Sequence, residues 1–174
     1  LECKLANGPV IGIVPGAPWV NHMDLNMGPQ PGNRNVIANN VIYNCPVGLA
    51  AMRQYQNLIT NNHIILSTAY SAVIDEYSEQ SIFSSNVLQE SGDVALFLFR
   101  ARRNIVSNNV IRSVSSAAIA LDDDSSLNTV TGNFIQEAGN TGIKLSDASN
   151  RNIITNNNIN TCAQWGISCE VGQS

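Results

Sequence analysis

The sequence predicts an all-β fold, a single-stranded parallel β-helix of about six coils, and three observations support this. An eight-residue unit, such as NVIANNVI at 35–42 and NIVSNNVI at 104–111, recurs six times at intervals of 22 to 24 residues. A second short apolar element follows each copy, as AIAL does at 118–121. The apolar residues alternate with a period of two, which is the spacing of strands and not of helices. Because no unit can bury its apolar residues alone, the units are expected to stack.

One asparagine is present in every unit and serves to align them. These anchor residues are Asn40, Asn62, Asn86, Asn109, Asn133 and Asn157. We predict that they point inward at a bend between two strands, where each amide bonds to buried backbone and to the amides of adjacent coils. The residue before the anchor is often asparagine and is Gly132 in the fifth unit, which favours a left-handed backbone there. The asparagines are therefore predicted to be structural.

The alignment also predicts which residues point inward. Two apolar stacks are expected: Ile37, Ile59, Phe83, Val106, Val130 and Ile154; and Ile42, Ile64, Leu88, Ile111, Ile135 and Ile159. Coils about 4.8 Å apart would make a rod of roughly 29 Å. In the third strand of each coil, alternation points Phe97, Ala120, Lys144 and Ser168 outward.

Residues 1–34 do not repeat, and residues 35–174 carry the coils. The first segment is rich in glycine and proline, so we expect irregular chain with one strand at 10–14 that covers the open end of the helix. No cap is recognisable after the sixth unit. That coil is expected to meet another subunit, forming a homo-oligomer, or to continue into a longer protein.

Composition excludes two classes of partner. The net charge of −4 gives no nucleic-acid footprint, and no apolar run is long enough to span a membrane. The one basic cluster, Arg100, Arg102 and Arg103, is expected to be a solvated turn. The first ten residues lack a signal-peptide pattern. A secreted or cell-surface location is expected if the chain is a mature or excised form, and a cytoplasmic location is the alternative.

The four cysteines permit two interpretations. Cys45 and Cys162 each lie five residues after an anchor, so they share a stacked position about 24 Å apart, beyond disulfide reach. Cys162 and Cys169 either form a bridge or are buried thiols that act as small apolar side chains. The spacing of cysteines and histidines does not predict a metal site.

Charged residues concentrate on one line of the predicted rod, at the bend after the third strand. This charged stripe consists of Arg53, Asp75, Glu76, Arg100, Asp122, Asp123, Asp147 and Glu170. One interpretation is structural, because opposite charges on adjacent coils, such as Glu76, Arg100 and Asp123, form cross-strand pairs. The other is a binding surface.

The repeated N-x-I/V-x-x-N-x-I and G-I-x-L units, from Asn35 to about Cys169, resemble the pectin-lyase-like family of right-handed parallel β-helices. That resemblance implies a right-handed coil. It also implies that a functional groove runs along the outer face of the third strand and the turn after it. Members of the family include polysaccharide lyases, hydrolases, epimerases, adhesins and scaffolds without activity.

In such a groove, the resemblance implies roles for the charged stripe. Arg100, Lys144 and Asp122 are the candidate catalytic residues, with Arg100 or Lys144 binding a uronate or accepting a proton from the sugar. The candidate substrate-binding residues are Arg53, Asp75, Glu76, Phe97 and Phe99. Asp123 and Asp147, on adjacent coils about 5 Å apart, are candidate calcium ligands. A polysaccharide is the expected partner, either acidic or neutral.

The sequence lacks the complete catalytic motif of each enzyme class of this family that was compared with it. Asp122–Asp124 supplies a run of carboxylates, but the G-H-G and R-I-K companions of polygalacturonases are absent, as are the D-P-H of alginate epimerases and the Arg-Pro pair of pectate lyases. Two hypotheses remain: a domain that binds or processes a polysaccharide, or a non-catalytic adhesin, spacer or assembly module.

Overall fold

The computed structural model describes residues 4–6 and 34–170, which form three sheets wound into a rod. Sheet A contains β1 (Lys4–Ala6), β3 (Val41–Tyr43), β6 (His63–Ser67), β9 (Val87–Ser91), β12 (Val110–Val114), β15 (Phe134–Ala138) and β18 (Asn158–Cys162). Sheet B contains β2 (Val36–Ala38), β5 (Leu58–Thr60), β8 (Ile82–Ser84), β11 (Ile105–Ser107), β14 (Thr129–Thr131) and β17 (Ile153–Thr155). Sheet C contains β4 (Val47–Met52), β7 (Tyr70–Asp75), β10 (Leu96–Phe99), β13 (Ile119–Asp122), β16 (Thr141–Leu145) and β19 (Trp165–Cys169).

Each coil contributes one strand to each sheet, so that β2–β4 form coil 1 and β17–β19 form coil 6. Every strand pairs in parallel with its equivalent in the next coil; Val106, for example, lies between Phe83 and Val130. This register confirms the predicted parallel β-helix of six coils. No helix in the described ranges is long and apolar enough to cross a membrane.

The interior is a column of stacked apolar side chains. Both predicted stacks are confirmed: their members in coils 1–5 are buried, and Ile154 and Ile159 of coil 6 are partly buried against the same cluster. Phe83 is the largest fully buried side chain. Sheet C adds a third inward row, which includes Leu98 and Leu121.

The anchor asparagines form the predicted ladder between sheets B and A. Asn109 is fully buried, and its Nδ2 donates to Asn133 Oδ1 at 2.9 Å and to the carbonyl of Phe83 at 3.1 Å. Its Oδ1 accepts bonds from the backbone N and the Nδ2 of Asn86. Each amide therefore holds three coils together, as the sequence analysis predicted.

A second ladder, which the sequence analysis missed, lies at the bend before sheet B. It consists of Asn35, Asn57, Ser81, Asn104, Asn128 and Asn152. Asn104 Nδ2 donates to Asn128 Oδ1 at 3.2 Å and to the carbonyl of Ser78 at 2.9 Å. The signal was present, because the same residues begin the repeated unit in each coil.

The bends themselves use left-handed backbone. The residue before each anchor has a positive φ, from 55° at Asn61, Asn108 and Asn156 to 67° at Gly132. Glycine adopts this conformation without a Cβ penalty, and asparagine tolerates it better than most residues. The left-handed backbone that was predicted from Gly132 standing where other coils have asparagine is thus confirmed.

Two features of the N-terminal segment differ from the sequence-based expectations or lie outside the described residues. β1 pairs antiparallel with β3, Leu5 facing Ile42, so the sheets are not all-parallel. This strand lies in the non-repeating segment, where no periodicity could indicate it. The strand expected at 10–14 lies outside the described residues.

The cysteines separate into two kinds. The shared interior position of Cys45 and Cys162 is confirmed by register, since Ser67, Ser91, Val114 and Ala138 continue the same row. Cys162 and Cys169 are free, so no bridge joins them, and burial raises the pKa of the Cys162 thiol. Cys169 is exposed, so it is not a buried thiol as the second interpretation expected, and Cys45 is disulfide-bonded.

Candidate functional site

The outer face of sheet C places the predicted aromatic residues on one surface. Phe97 lies between Val73 and Ala120 in register, and Lys144 and Ser168 continue the row, as alternation predicted. The neighbours of Phe97 in β10, Leu96 and Leu98, are fully buried in the core, whereas Phe97 is partly exposed. The strand therefore presents an aromatic ring outward and holds it on a rigid base.

An aromatic cluster forms around Phe97. The ring of Tyr70 stacks on it with centroids 5.4 Å apart and planes 14° from parallel, and Phe99 lies beside it at 5.8 Å. Val94, Ala117 and Ala120 are buried, and Phe97 and Tyr70 pack against them, which makes a small apolar cluster separate from the core. This explains why Ala120 is buried although it points outward.

Tyr70 was absent from the predicted site, although Phe97 and Phe99 were included. Its place at the first position of β7 could have been found by aligning the start of the third strand in each coil. Burial, followed by the charge of Asp93, raises the pKa of the Tyr70 hydroxyl, so the neutral form of this group is favoured.

Beside the aromatic cluster, the charged stripe stacks as predicted at the bend that follows sheet C. Met52, Asp75, Phe99 and Asp122 share one row of the register. The next residue in each coil has a positive φ, which turns the chain sharply: Arg53, Glu76, Arg100, Asp123 and Asp147. The stripe is therefore built on a repeated left-handed bend.

Ion pairs connect the coils along and beside this stripe. Arg53 Nε lies 2.5 Å from Glu76 Oε2, Arg100 Nη2 lies 2.6 Å from Asp123 Oδ2, and Lys144 Nζ lies 2.9 Å from Glu170 Oε2. In the following turn Arg102 pairs with Asp124, and Arg103 Nη1 lies 2.9 Å from Glu79 Oε2. The expected solvated arginine cluster is thus a set of arginines that each contact a carboxylate.

Asp75 occupies a different environment from the rest of the stripe. It is buried at 1% exposure, and its Oδ1 accepts a hydrogen bond from the backbone N of Glu76. A side chain that ends the strand and bonds to the next backbone amide stabilises the bend. Its geometry fits a structural role at the end of β7 in addition to any contact with a ligand.

Three carboxylates meet where coils 4 and 5 join the bend. Asp122 Oδ1 accepts bonds from Ser146 Oγ and from the backbone N of Asp123, both at 2.9 Å. A hydrogen bond with Asp122, together with the negative charge of Asp122, raises the pKa of Asp147. Asp123 instead contacts Arg100 through both Nε and Nη2.

This arrangement bears on the calcium prediction. Ca²⁺ takes six to eight oxygen ligands, and Asp123 already contacts a guanidinium. No group of three or more histidine, cysteine, aspartate or glutamate side chains suited to a metal ion occurs within 34–170. Calcium at Asp123 and Asp147 stays a prediction.

The pKa values also define the acid–base chemistry of the site. The hydrogen bond to Asp123 raises the pKa of Arg100, so this residue stays charged and does not accept a proton. Ser126, which donates a hydrogen bond, and then Arg102 lower the pKa of Asp124. The site thus holds charged pairs beside aromatic rings, and a catalytic role of Arg100 stays a prediction.

Comparisons with known proteins agree with this fold. Residues 32–174 match the family model described as periplasmic copper-binding protein (NosD). Crystal structures of a single and a double mutant of the periplasmic alginate epimerase AlgG align with TM-scores of 0.53 and 0.57, at 11% and 12% identity. The alignments cover 81% and 83% of this chain but only 46% and 42% of theirs, so the chain spans less than half their length. No curated protein sequence matches the chain significantly.

The copper named in the family description can be tested against the described residues. Copper prefers histidine, cysteine and methionine ligands, and a thiol must lose its proton to bind. Cys162 and Cys169 are the free thiols, and burial raises the pKa of Cys162, which opposes binding. His63 lies in β6 of sheet A and Met52 at the end of β4, on different sheets from each other. Residues 34–170 therefore do not fit a copper site.

Proposed function

Since this chain belongs to the NosD family, a family described as periplasmic, we propose that it is an extracytoplasmic β-helix that binds a polysaccharide along the outer face of sheet C. The observation that carries the proposal is the aromatic cluster of Tyr70, Phe97 and Phe99, mounted on rigid strands and flanked by the charged stripe. The disulfide at Cys45 supports the location, because disulfides persist in oxidising compartments.

The aromatic cluster has the properties of a sugar platform. A pyranose ring has an apolar face of C–H groups that packs on an aromatic ring, and its hydroxyl groups need polar partners at the edge. Phe97 and Phe99 supply partly exposed rings, and Arg100 lies over the Phe99 ring with its Cζ 4.9 Å from the centroid. Polar and charged side chains of the stripe border these rings, which suits a ligand with an apolar face and a polar rim.

Binding fits this site better than catalysis. Proton abstraction from a sugar needs a group that is a base near neutral pH. Arg100 is held in its charged form by Asp123, and Lys144 pairs with Glu170. Asp122 is engaged by Ser146 and Asp123. We therefore assign Arg100, Lys144 and Asp122 to the rim of a binding surface.

One observation favours a second candidate, a scaffold without a ligand. The ion pairs connect successive coils, as Arg53–Glu76 and Arg100–Asp123 do, and such pairs need no ligand to account for them. A scaffold does not account for the partly exposed Phe97 and Phe99 beside them, since apolar rings on a surface reduce solubility.

A matched pair of aromatic substitutions tests the proposal. Phe97 and Phe134 are both partly exposed phenylalanines that point outward from a strand, and Phe134 also has a guanidinium near its ring, that of Arg112, at 5.7 Å. Binding of the chain to a panel of immobilised neutral and acidic polysaccharides is measured for the wild type, Phe97→Ala and Phe134→Ala. We expect Phe97→Ala to weaken binding roughly tenfold, about 1.4 kcal/mol, and Phe134→Ala to leave it unchanged.

Two outcomes would contradict the proposal. If both substitutions weaken binding equally, the site is not on sheet C. If the wild type binds no polysaccharide on the panel while its unfolding transition is normal, the scaffold candidate replaces the proposal.

A further inference from the structure

Resting on the proposed function, we infer that the ligand of the outer face of sheet C is an uncharged hexose polymer and not a polyuronate. Three features of this face favour a neutral ligand: its cations already contact carboxylates, its carboxylates outnumber its cations, and its aromatic rings form a platform.

The cations that a uronate would require already contact carboxylates. Arg100 contacts Asp123 through two nitrogens, and Lys144 contacts Glu170 at 2.9 Å. A uronate that used either cation would have to displace a carboxylate from the adjacent coil, which would leave that carboxylate without its partner. A hydroxyl group of a neutral sugar, in contrast, bonds to an ion pair without breaking it, because it both donates and accepts.

The negative charge of the surface also disfavours binding of a polyuronate. Along the charged stripe and the neighbouring Lys144, carboxylates outnumber cations: the cations are Arg53, Arg100 and Lys144, and the carboxylates are Asp75, Glu76, Asp122, Asp123, Asp147 and Glu170. Asp122, through a hydrogen bond and then through its negative charge, raises the pKa of Asp147, as expected where like charges lie near each other. A polyuronate carries a negative charge on every residue and would add further like charges at this place.

The aromatic rings supply the attraction that the charges do not. The near-parallel rings of Tyr70 and Phe97 pack on the buried Val94, Ala117 and Ala120, so rigid apolar side chains support the rings from beneath. From Phe97 in coil 3 to Asp147 in coil 5 the surface extends over two coil steps, about 10 Å, which accommodates two sugar units. Stacking on such a platform depends on the C–H face of the sugar and not on its charge.

The test compares polymers that differ only in charge. Polygalacturonate and alginate are each measured beside their carboxyl-reduced forms, which keep the same linkages but carry a neutral CH₂OH group in place of the carboxylate. Neutral glucan, mannan and galactan are added, and each titration is run at low and high salt, with and without Ca²⁺.

We expect neutral polymers to bind with an affinity that is independent of salt and Ca²⁺, and native polyuronates to bind at least roughly tenfold more weakly than their reduced forms. Phe97→Ala is expected to remove most of the neutral binding, with Phe134→Ala as the matched control. A native polyuronate that binds more tightly than its reduced form, directly or with Ca²⁺, overturns this inference but leaves the proposed function intact. Failure of every polymer to bind overturns both.

Discussion

The anchor asparagines form an inner ladder along the axis of this rod and the charged stripe forms an outer one; the two share a repeat but differ in burial and in charge. At the bend between sheets B and A, asparagine amides stack in the interior, each 4% exposed or less from Asn40 to Asn133. At the bend after sheet C, charged side chains stack on the surface, and both partners of the Arg100–Asp123 pair are about 40% exposed. Both ladders connect residues 22 to 24 positions apart.

The difference in burial sets the difference in energy. A buried amide that loses its partners leaves backbone groups without hydrogen bonds, which costs about 1–3 kcal/mol. An exposed ion pair exchanges contacts with water at little net cost and contributes about 0–1 kcal/mol. The inner ladder is therefore needed for the fold, whereas the charges and rings on the outer face are available for a function.

The largest expected effect is at the centre of the inner ladder. Asn109→Ala should lower the free energy of unfolding by about 1–3 kcal/mol, because Asn86, Asn133 and the carbonyl of Phe83 lose their partner. Denaturant unfolding of the purified variant measures it. Asn157→Ala serves as the matched variant in coil 6, where the side chain is partly exposed and water replaces part of what is lost. Equal losses at both positions, or none at Asn109, would contradict the ladder argument.

The inner ladder also explains how much the sequence could predict. A residue that must bond to its own copies in adjacent coils recurs at every turn, so Asn109 and its equivalents revealed coil length, register and inward stacks. The second ladder, through Asn104, left an equally clear signal that was not used. β1 belongs to a segment without repeats, so its antiparallel pairing had no periodic signal.

The site was less predictable for a physical reason. Register alone placed Phe97, Phe99, Arg100 and Asp123 on one surface, and that placement is confirmed. The choice of ion partner depends on long, flexible side chains, so the pairing of Arg103 with Glu79 could not be predicted from strand spacing. Whether Asp123 and Asp147 hold calcium depends on ligands that spacing does not determine.

A smaller effect is expected on the outer ladder. A double-mutant cycle with Arg100→Gln and Asp123→Asn should give a coupling energy of no more than about 1 kcal/mol, because both side chains are exposed and salt screens them. Denaturant unfolding at low and high salt measures it, and the coupling should shrink as salt is added. The Lys144–Glu170 pair, which is similarly exposed, provides the matched cycle. A coupling as large as the loss at Asn109 would remove the distinction between the two ladders.

The smallest effect is a dependence on pH, and it has opposite signs at two carboxyl groups of the outer face. Ser126 and Arg102 lower the pKa of Asp124, so its contribution to stability is present above the pKa of the unfolded chain and is lost as the pH falls through the folded value. Asp122 raises the pKa of Asp147, so its contribution is present in acid and is lost as the pH rises through the folded value. At neutral pH, Asp124→Asn should therefore unfold more readily than the wild type and Asp147→Asn less readily, and both differences should diminish in acid. Unfolding midpoints of the three proteins across the acid range measure this, and shifts of the same sign would show that Asp122 and Asp147 do not repel each other in solution.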